Sequence, residues 1–251
     1  MILVCAATER ELDACLVPWE LRFADLPAYA PPIAAGAGPG VRHQPMAGKA
    51  RLGRNHLFAV TGVGIPMTLA RLIPLATAVR PELIVNVGIA GAYPQTGLDI
   101  GCVATGSDEC FGDVGVEMPG PDPFTPVSKF PWADAEYREP LRLASGSYRP
   151  PEALFPGMRP SFPVRMAKGC TVNRCTGLEE TGRSRRDTFA AEFESMEGAA
   201  AALAGWELGI PVCEVRAISN IAAARDMRPE NIALALGNLG VYMGRWLGSM
   251  P

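Results

Sequence analysis

Short apolar runs alternate with helix-like segments along most of the chain, and this alternation restricts the fold more than any other feature. Continuous apolar runs between helices indicate a mostly parallel sheet that is covered on both faces. The strands are predicted at residues 1–5, 55–60, 83–87, 100–105, 164–168, 193–196 and 211–219. The helices are predicted at residues 9–16, 66–78, 176–186, 197–208 and about 230–247, with one more near 132–143.

Size and composition fit a single domain that spans residues 1–251. Apolar residues make up 48% of the chain and charged residues 20%, which excludes a disordered chain or a coiled coil. No apolar stretch approaches the ~18 residues that a membrane span needs, and we expect no secretory signal. The 7 cysteines lack paired spacing, which indicates reduced thiols and a cytoplasmic protein.

The charge and the histidine content restrict the chemistry. A formal charge of −3 argues against nucleic-acid binding, because neutralising phosphates needs a basic face. Only His43 and His56 are present, which excludes a histidine-rich metal site and leaves little for a Ser-His-Asp triad. We therefore expect no metal and no cofactor, and chemistry carried by carboxylates, amides and backbone groups.

Two features at predicted strand ends fit either a ligand-binding role or a purely structural one. A turn with Gly62 and Gly64 begins a helix, so its N–H groups can face an anion. The dinucleotide fingerprint is incomplete, however, because Met67 occupies the third glycine position. Glu11 lies in the first turn of a helix with Thr8 as N-cap, and either serves a ligand or only stabilises the helix dipole.

Two later clusters fall at comparable positions. Glu197 lies at a strand-to-helix junction among small residues, where a carboxylate can accept hydrogen bonds from two vicinal hydroxyls; the alternative is a helix-stabilising charge. Arg216 lies inside an apolar strand that ends at Asn220. A buried arginine needs a partner, so a nearby carboxylate is implied, and a purely structural ion pair is the alternative.

Taken in order, these segments resemble the purine nucleosidase/phosphorylase superfamily, and within it the futalosine hydrolases. The most specific part is the Met-Glu-Gly-Ala block at 196–199, followed by Arg-Ala-Ile-Ser-Asn at 216–220. The related methylthioadenosine/adenosylhomocysteine nucleosidases carry Asp at the position of Asn220. The matched stretches are residues 2–12, 60–67, 83–103, 168–177 and 193–226. The resemblance implies a nucleoside phosphorylase-like fold, a single three-layer α/β/α domain with a mixed, mostly parallel central sheet.

The resemblance also implies roles for particular residues. Cleavage of an N-glycosidic bond passes through an oxocarbenium-like sugar, while negative charge develops on the leaving base. Glu11 matches the water-activating carboxylate, Glu197 the carboxylate that binds ribose hydroxyls, and Asn220 the group facing the purine. Met196 would pack against the sugar, and Arg216 would place Glu11 or the water. The expected substrate-binding set also contains Gly64, Gly91, Thr171, Val172, Ser195 and Ser219.

The identity of residue 220 bears on the leaving base. A carboxylic acid suits adenine, whereas an amide offers a donor and an acceptor that fit a 6-oxopurine. We therefore expect hypoxanthine to leave. Related phosphorylases place an arginine and a hydroxyl residue where this chain has Asn86 and Ile89, so water is the expected nucleophile. The nucleosidases carry Ser at the position of Ile89, so other groups must hold the water.

The substrate pocket is less defined by the sequence. Val172 stands where the nucleosidases commonly have a stacking Phe, so either another aromatic residue such as Phe111 contributes or polar contacts hold the base. Futalosine carries a benzoate-bearing arm, for which Arg225 or Arg42 is a candidate partner. Members of the family assemble as dimers or larger rings, which implies a homo-oligomer.

Two rival functions stay open at this stage. The first is a nucleosidase or phosphorylase for other purine nucleosides, such as inosine or methylthioadenosine and adenosylhomocysteine. The second is a non-catalytic nucleoside-binding module on the same fold, since a fold alone does not carry activity. The leading interpretation is hydrolysis of futalosine to hypoxanthine and dehypoxanthine futalosine in menaquinone biosynthesis.

Overall fold

The computed structural model describes residues 1–29, 50–53, 55–117, 119, 124–132, 140–148, 160–223 and 226–249. Its strands are β1 Ile2–Ala6, β2 Ala50–Leu52, β3 His56–Val60, β4 Leu83–Ala92, β5 Val103–Gly106, β6 Asp108–Glu109, β7 Gly115–Glu117, β8 Phe124–Pro126, β9 Leu141–Arg142, β10 Val164–Ala167, β11 Gly169–Thr171, β12 Phe193–Ser195 and β13 Val212–Ile221. Its longer helices are α1 Glu9–Leu16, α2 Ile65–Val79, α3 Glu179–Phe189, α4 Gly198–Leu208 and α5 Pro229–Gly248, and one helical turn covers Ser145–Tyr148.

The main sheet contains nine of the described strands. Its principal order is β10-β5-β13-β4-β1-β3-β2, with β12 pairing β4 and β11 pairing β12. The neighbours β3, β1, β4 and β13 are parallel, whereas β2, β5 and β12 run antiparallel to β3, β13 and β4 respectively. Because β1, β4 and β13 are parallel, their carboxyl ends meet at one edge of the sheet, where α/β folds bind ligands.

Helices cover both faces of the sheet, which confirms the predicted three-layer α/β fold. Alternate residues of β1 face opposite sides: Val4 packs in the cluster that includes Leu12 and Leu239, and Leu3 packs in the cluster that includes Leu72. Helices α1 and α5 therefore lie on one face, and α2 and α4 on the other. Burial on both faces explains why the strands read as continuous apolar runs.

Some predicted boundaries differ from the structure. The strand predicted at residues 83–87 continues to Ala92, because Gly88 and Gly91 stay extended and pair with β13. The predicted helix at 176–186 instead covers Glu179–Phe189, because Thr176 binds the Glu194 carboxylate. The helix predicted near 132–143 is wrong at its end, where residues 141–142 form β9 against β6; residues 133–139 lie outside the described chain.

Candidate active site

A cavity of about 350 Å³ lies at the edge where β1, β4 and β13 end. Its polar lining comes from segments that are far apart in sequence. The lining residues with charged, amide or hydroxyl groups are Thr8, Arg10, Glu11, Thr176, Glu194, Ser195, Glu197, Ser219 and Asn220. The apolar lining includes Val63, Ile89, Met196, Met227, Ile232 and Leu236. The cavity thus combines a few polar groups with an apolar wall, as small-molecule sites commonly do.

Glu11 is fixed at the start of α1 by a reciprocal capping box. The Thr8 hydroxyl and the Thr8 backbone N–H both donate to Glu11 Oε2, at 2.7 and 3.0 Å, and the Glu11 N–H donates back to Thr8 Oγ1 at 3.4 Å. The backbone N–H of Ile89 donates to Glu11 Oε1 at 3.1 Å. Glu11 is therefore both a helix-capping residue and a buried carboxylate in the cavity lining.

Glu197 lies at the N-terminus of α4 and bridges two elements. Its Oε1 accepts the Gly64 N–H at 3.1 Å, and its Oε2 accepts Arg216 Nη1 at 3.3 Å. Gly64 adopts φ +86°, a left-handed conformation that favours glycine, so the turn directs its N–H toward this carboxylate. Burial raises the pKa of Glu197, although the Arg216 charge and the Gly64 hydrogen bond oppose the shift.

Arg216 is fully buried, and the structure confirms that carboxylates surround it. Its Nε donates to Glu214 Oε1 at 2.8 Å, and its remaining nitrogens donate to Glu197 and to the Asn86 side chain. Burial disfavours the charge, but Glu214 and Glu197 outweigh that effect, so the pKa of Arg216 is raised. Arg216 therefore orients Glu197; Thr8 and the Ile89 backbone supply the hydrogen bonds that hold Glu11.

Asn220 closes another side of the cavity at the end of β13. The Ser219 hydroxyl is 3.1 Å from Asn220 Oδ1 and 3.2 Å from the Ala90 carbonyl oxygen. No described residue accepts a hydrogen bond from Asn220 Nδ2. A Cβ at Gly91 would lie 3.1 Å from this nitrogen, so glycine leaves room for the amide. The amide N–H₂ group is therefore available to a ligand.

The structure brings together seven of the eleven residues expected at the site, and two more lie directly behind it. Glu11, Gly91, Ser195, Met196, Glu197, Ser219 and Asn220 line the cavity. Gly64 and Arg216 contact Glu197 from outside the lining. Asn86, in turn, holds Arg216.

Two of the expected base-pocket residues lie in the interior instead. The Thr171 hydroxyl donates to Glu109 and accepts the Ala199 N–H, and Val172 packs in a buried cluster with Tyr93 and Cys170. Phe111 also packs in the interior, against the α4 side of the sheet. Arg42 and Arg225 lie outside the described residues.

Sequence reasoning missed several residues of this region. Arg10 lines the cavity, and the apolar residues Ile232 and Leu236 reach it from α5. Glu214 had a signal, since it lies two residues before Arg216 and therefore shares its face of a strand. Glu109 had none, because only the fold brings its side chain beside that of Glu214.

The fold is shared with nucleosidases of known structure. A methylthioadenosine/adenosylhomocysteine nucleosidase from Neisseria meningitidis superposes with a TM-score of 0.73 at 18% identity, covering 99% of both chains. A mutant futalosine hydrolase from Helicobacter pylori gives 0.72 at 14% identity, also over 99% of both. These superpositions show that the chain has the fold of these nucleosidases.

The family itself follows from the sequence. The profile of the Phosphorylase superfamily matches residues 14–240, so the chain belongs to that superfamily. Two curated relatives are futalosine hydrolases. The one from Thermus thermophilus is 28% identical over 78% of this chain and 82% of its own, and the one from Streptomyces coelicolor is 29% identical over 66% of each.

Proposed function

We propose that this chain hydrolyses the N-glycosidic bond of futalosine, releasing hypoxanthine and dehypoxanthine futalosine. The observation that carries the proposal is the meeting of Glu11, Glu197 and Asn220 in one cavity. Relatives named futalosine hydrolase support the choice of substrate. The three side chains match the three tasks of the reaction: activating water, holding ribose and stabilising the leaving base.

Glu11 is assigned to the water. Its Oε2 accepts two hydrogen bonds from Thr8, whereas Oε1 accepts one from Ile89, so a lone pair of Oε1 remains for a water in the cavity. A fixed base avoids reorganisation when the anomeric carbon becomes electron-deficient. At the position of the missing serine, the Ile89 backbone N–H holds the Glu11 carboxylate, which would in turn hold the water.

Glu197 is assigned to the ribose, with Met196 packed against the sugar. The Gly64 N–H and Arg216 fix the carboxylate so that it presents its remaining lone pairs to two vicinal hydroxyls. Glu197 and Met196 line the cavity, together with Ser195.

Asn220 is assigned to the leaving base. Its free amide N–H₂ group donates to the purine as negative charge develops, and one well-placed donor to such a charge is worth on the order of 3 kcal/mol. Asn220 has no acidic proton to give, which favours hypoxanthine over adenine.

Water is the proposed nucleophile. Asn86 stands where the related phosphorylases have a cation, and its side chain accepts a hydrogen bond from Arg216. Ile89 stands where they have a hydroxyl residue and presents an apolar side chain to the cavity. The negative charge of Glu11 also repels a phosphate dianion.

Arg10 is assigned to the carboxylate of the substrate arm. It is exposed, it is the one cation among the described lining residues, and no described acidic residue pairs with it. Ile232, Leu236 and Met227 provide an apolar wall in the same cavity for the aromatic ring.

The biological setting is also inferred. Cysteine usage supports a cytoplasmic enzyme. The resemblance to futalosine hydrolases supports a role in menaquinone biosynthesis, and the assembly of other superfamily members supports a homo-oligomer. No helix among the described residues is long and apolar enough to cross a membrane.

Product release on a panel of nucleosides tests the proposal. Purified protein is incubated with futalosine, inosine and methylthioadenosine, with and without inorganic phosphate, and the released base is measured by chromatography. Fast hypoxanthine release from futalosine that is independent of phosphate is expected. Strict phosphate dependence, or a preference for methylthioadenosine, would instead support the related activities.

A further inference from the structure

Two glutamates that the reaction scheme does not use lie next to each other in the interior. Glu109 ends β6 and Glu214 lies in β13, and both are 0% exposed. Neither lines the cavity. Buried carboxylates of this kind are costly unless each oxygen is paired.

Each of the two carboxyl groups has one oxygen that accepts a hydrogen bond and one that has no partner among the described residues. Glu109 Oε2 accepts the Thr171 hydroxyl at 2.8 Å, and Glu214 Oε1 accepts Arg216 Nε at 2.8 Å. Glu109 Oε1 and Glu214 Oε2 are buried without a partner among the described residues. Two acceptor oxygens cannot satisfy each other unless one of the carboxyl groups is protonated.

Three glycines make room for the two carboxyl groups. A Cβ at Gly198 would overlap an oxygen of both Glu109 and Glu214, a Cβ at Gly169 would overlap Glu109, and one at Gly106 would approach Glu214 Oε2 to 2.8 Å. Backbone from three separate elements is therefore shaped around the carboxyl pair.

The local charges also favour a retained proton. Glu109 is faced by Glu214 and by the Cys170 thiol, and Arg216 is faced by Glu214, Glu197 and, at longer range, Glu11. With every glutamate ionised, a single guanidinium would stand against an excess of negative charge in a buried region. One retained proton removes the repulsion between two adjacent carboxylates.

We propose that Glu109 and Glu214 share one proton as an acid–carboxylate pair and act as positioning residues that hold Arg216 against Glu197. Glu214 binds Arg216 at Nε, and Arg216 Nη1 binds Glu197 at 3.3 Å. The kinetic part of this inference rests on the proposed function. Burial, the charge of Glu214 and the hydrogen bond that protonated Glu109 donates to Glu214 raise the pKa of Glu109 well above its usual range, in agreement with the geometry.

Loss of the shared proton has a defined consequence. It would leave both carboxyl groups of the pair ionised. The added negative charge would then compete with Glu197 for the Arg216 guanidinium. Glu197 would lose its fixed orientation, so kcat would fall at alkaline pH. Misplacement of a site group by about 1 Å is enough to cost about a hundredfold in rate.

Infrared difference spectroscopy tests the proton directly. The wild-type spectrum minus that of Glu109→Gln at neutral pH is expected to contain the carbonyl band of a buried protonated carboxylic acid, which ionised carboxylates lack. Glu207→Gln, at an exposed position of α4, is the matched control and should give no such band. Absence of the band from the wild-type difference overturns the shared proton.

The pH profile of kcat tests the positioning role. Glu109→Gln keeps an acceptor for Thr171 and a donor for Glu214 but cannot lose the proton, so the alkaline limb should disappear. Glu109→Leu lacks both groups and should lower kcat about tenfold to a hundredfold with a smaller change in KM. An unchanged alkaline limb in Glu109→Gln overturns the positioning role, even if Glu109→Leu does not fold.

The two proposals fail separately. If the wild-type protein cleaves none of the nucleosides, the proposed function is wrong, while the infrared band still decides whether the proton is shared. If it cleaves futalosine but the band is missing, only the acid–carboxylate pair is refuted.

Discussion

Glu11 has a carboxylate that is fixed by hydrogen bonds on both oxygens and still lines the cavity. Glu11→Gln keeps the shape but removes the base, so hypoxanthine release should fall about 10²- to 10⁴-fold while futalosine still binds. Single-turnover kinetics and calorimetric binding measure the two effects. The exposed neighbour Glu9 supplies the control, since Glu9→Gln should retain turnover. Near-normal rates in Glu11→Gln would refute the assigned role.

Asn220 is the residue at which leaving-base preference is decided. Asn220→Asp introduces a group that can donate an acidic proton and accept from a 6-amino group, so the adenine analogue of futalosine should gain relative to futalosine. The ratio of their kcat/KM values should move by on the order of 10². Competition assays with both nucleosides measure the ratio, and an unchanged ratio would mean that Asn220 does not face the base.

Arg10 should act on the substrate arm alone. Arg10→Ala removes a charge-assisted hydrogen bond to the carboxylate, so KM for futalosine should rise about tenfold to a hundredfold. Inosine lacks the arm and should be cleaved as by the wild-type protein. Arg183→Ala, at an exposed position of α3, controls for the loss of a surface charge. An equal effect of Arg10→Ala on both substrates would contradict the assignment.

At the scale of elements, α1 couples folding to the site through its capping box. Thr8→Ala removes the hydroxyl that donates to Glu11, so the free energy of unfolding should fall by about 1 kcal/mol and kcat should fall with it. Thr8→Ser keeps the hydroxyl and should restore both. Urea unfolding and hypoxanthine release are the measurements. Loss of stability without any loss of kcat would show that Thr8 only caps the helix.

The sequence predicts correctly those helices and strands whose caps and apolar periodicity lie within the element itself. Helix α1 has the predicted bounds, residues 9–16, because its N-cap and apolar face are contiguous in sequence. The short strands β6 and β9 were missed because tertiary pairing, not propensity, holds them. The extension of β4 was missed because Gly88 and Gly91 usually indicate a turn, whereas here they admit the side chains of Arg216 and Asn220.

The residues of the candidate site also fall into those that a local motif predicts and those that only the packing of distant segments defines. Glu197 and Asn220 stand at strand ends within a specific motif, so their meeting in one cavity followed from topology. Thr171 and Val172 were expected at the cavity because they align with the loop that stacks on the purine in the nucleosidases, but the pleat of β11 and its end direct them into the interior. Arg10 lies beside Glu11 at a predicted strand end, but only the packing of distant segments brings it into the cavity lining. Glu109 has no local pattern that indicates its neighbours.

At the scale of the whole molecule, the fold keeps titratable carboxyl groups out of water at the edge where its parallel strands end. Glu197 is 4% exposed, and burial raises its pKa despite Arg216. A carboxyl group whose pKa is raised by folding binds its proton more tightly in the native state. Its contribution to stability is therefore complete below the ordinary glutamate value of about 4.3 and is lost as pH rises through the folded value.

This sign gives a prediction for the free energy of unfolding. As pH rises above the ordinary glutamate pKa of about 4.3, Glu197→Gln should make the pH profile less negative in slope than that of the wild-type protein, because the variant has no proton to lose at this position. Urea unfolding at several pH values measures both slopes, with the exposed Glu207→Gln as the variant whose slope should match the wild type. Parallel profiles for Glu197→Gln and the wild type would mean that folding does not raise the pKa of Glu197, and that Arg216 offsets the whole cost of burying it.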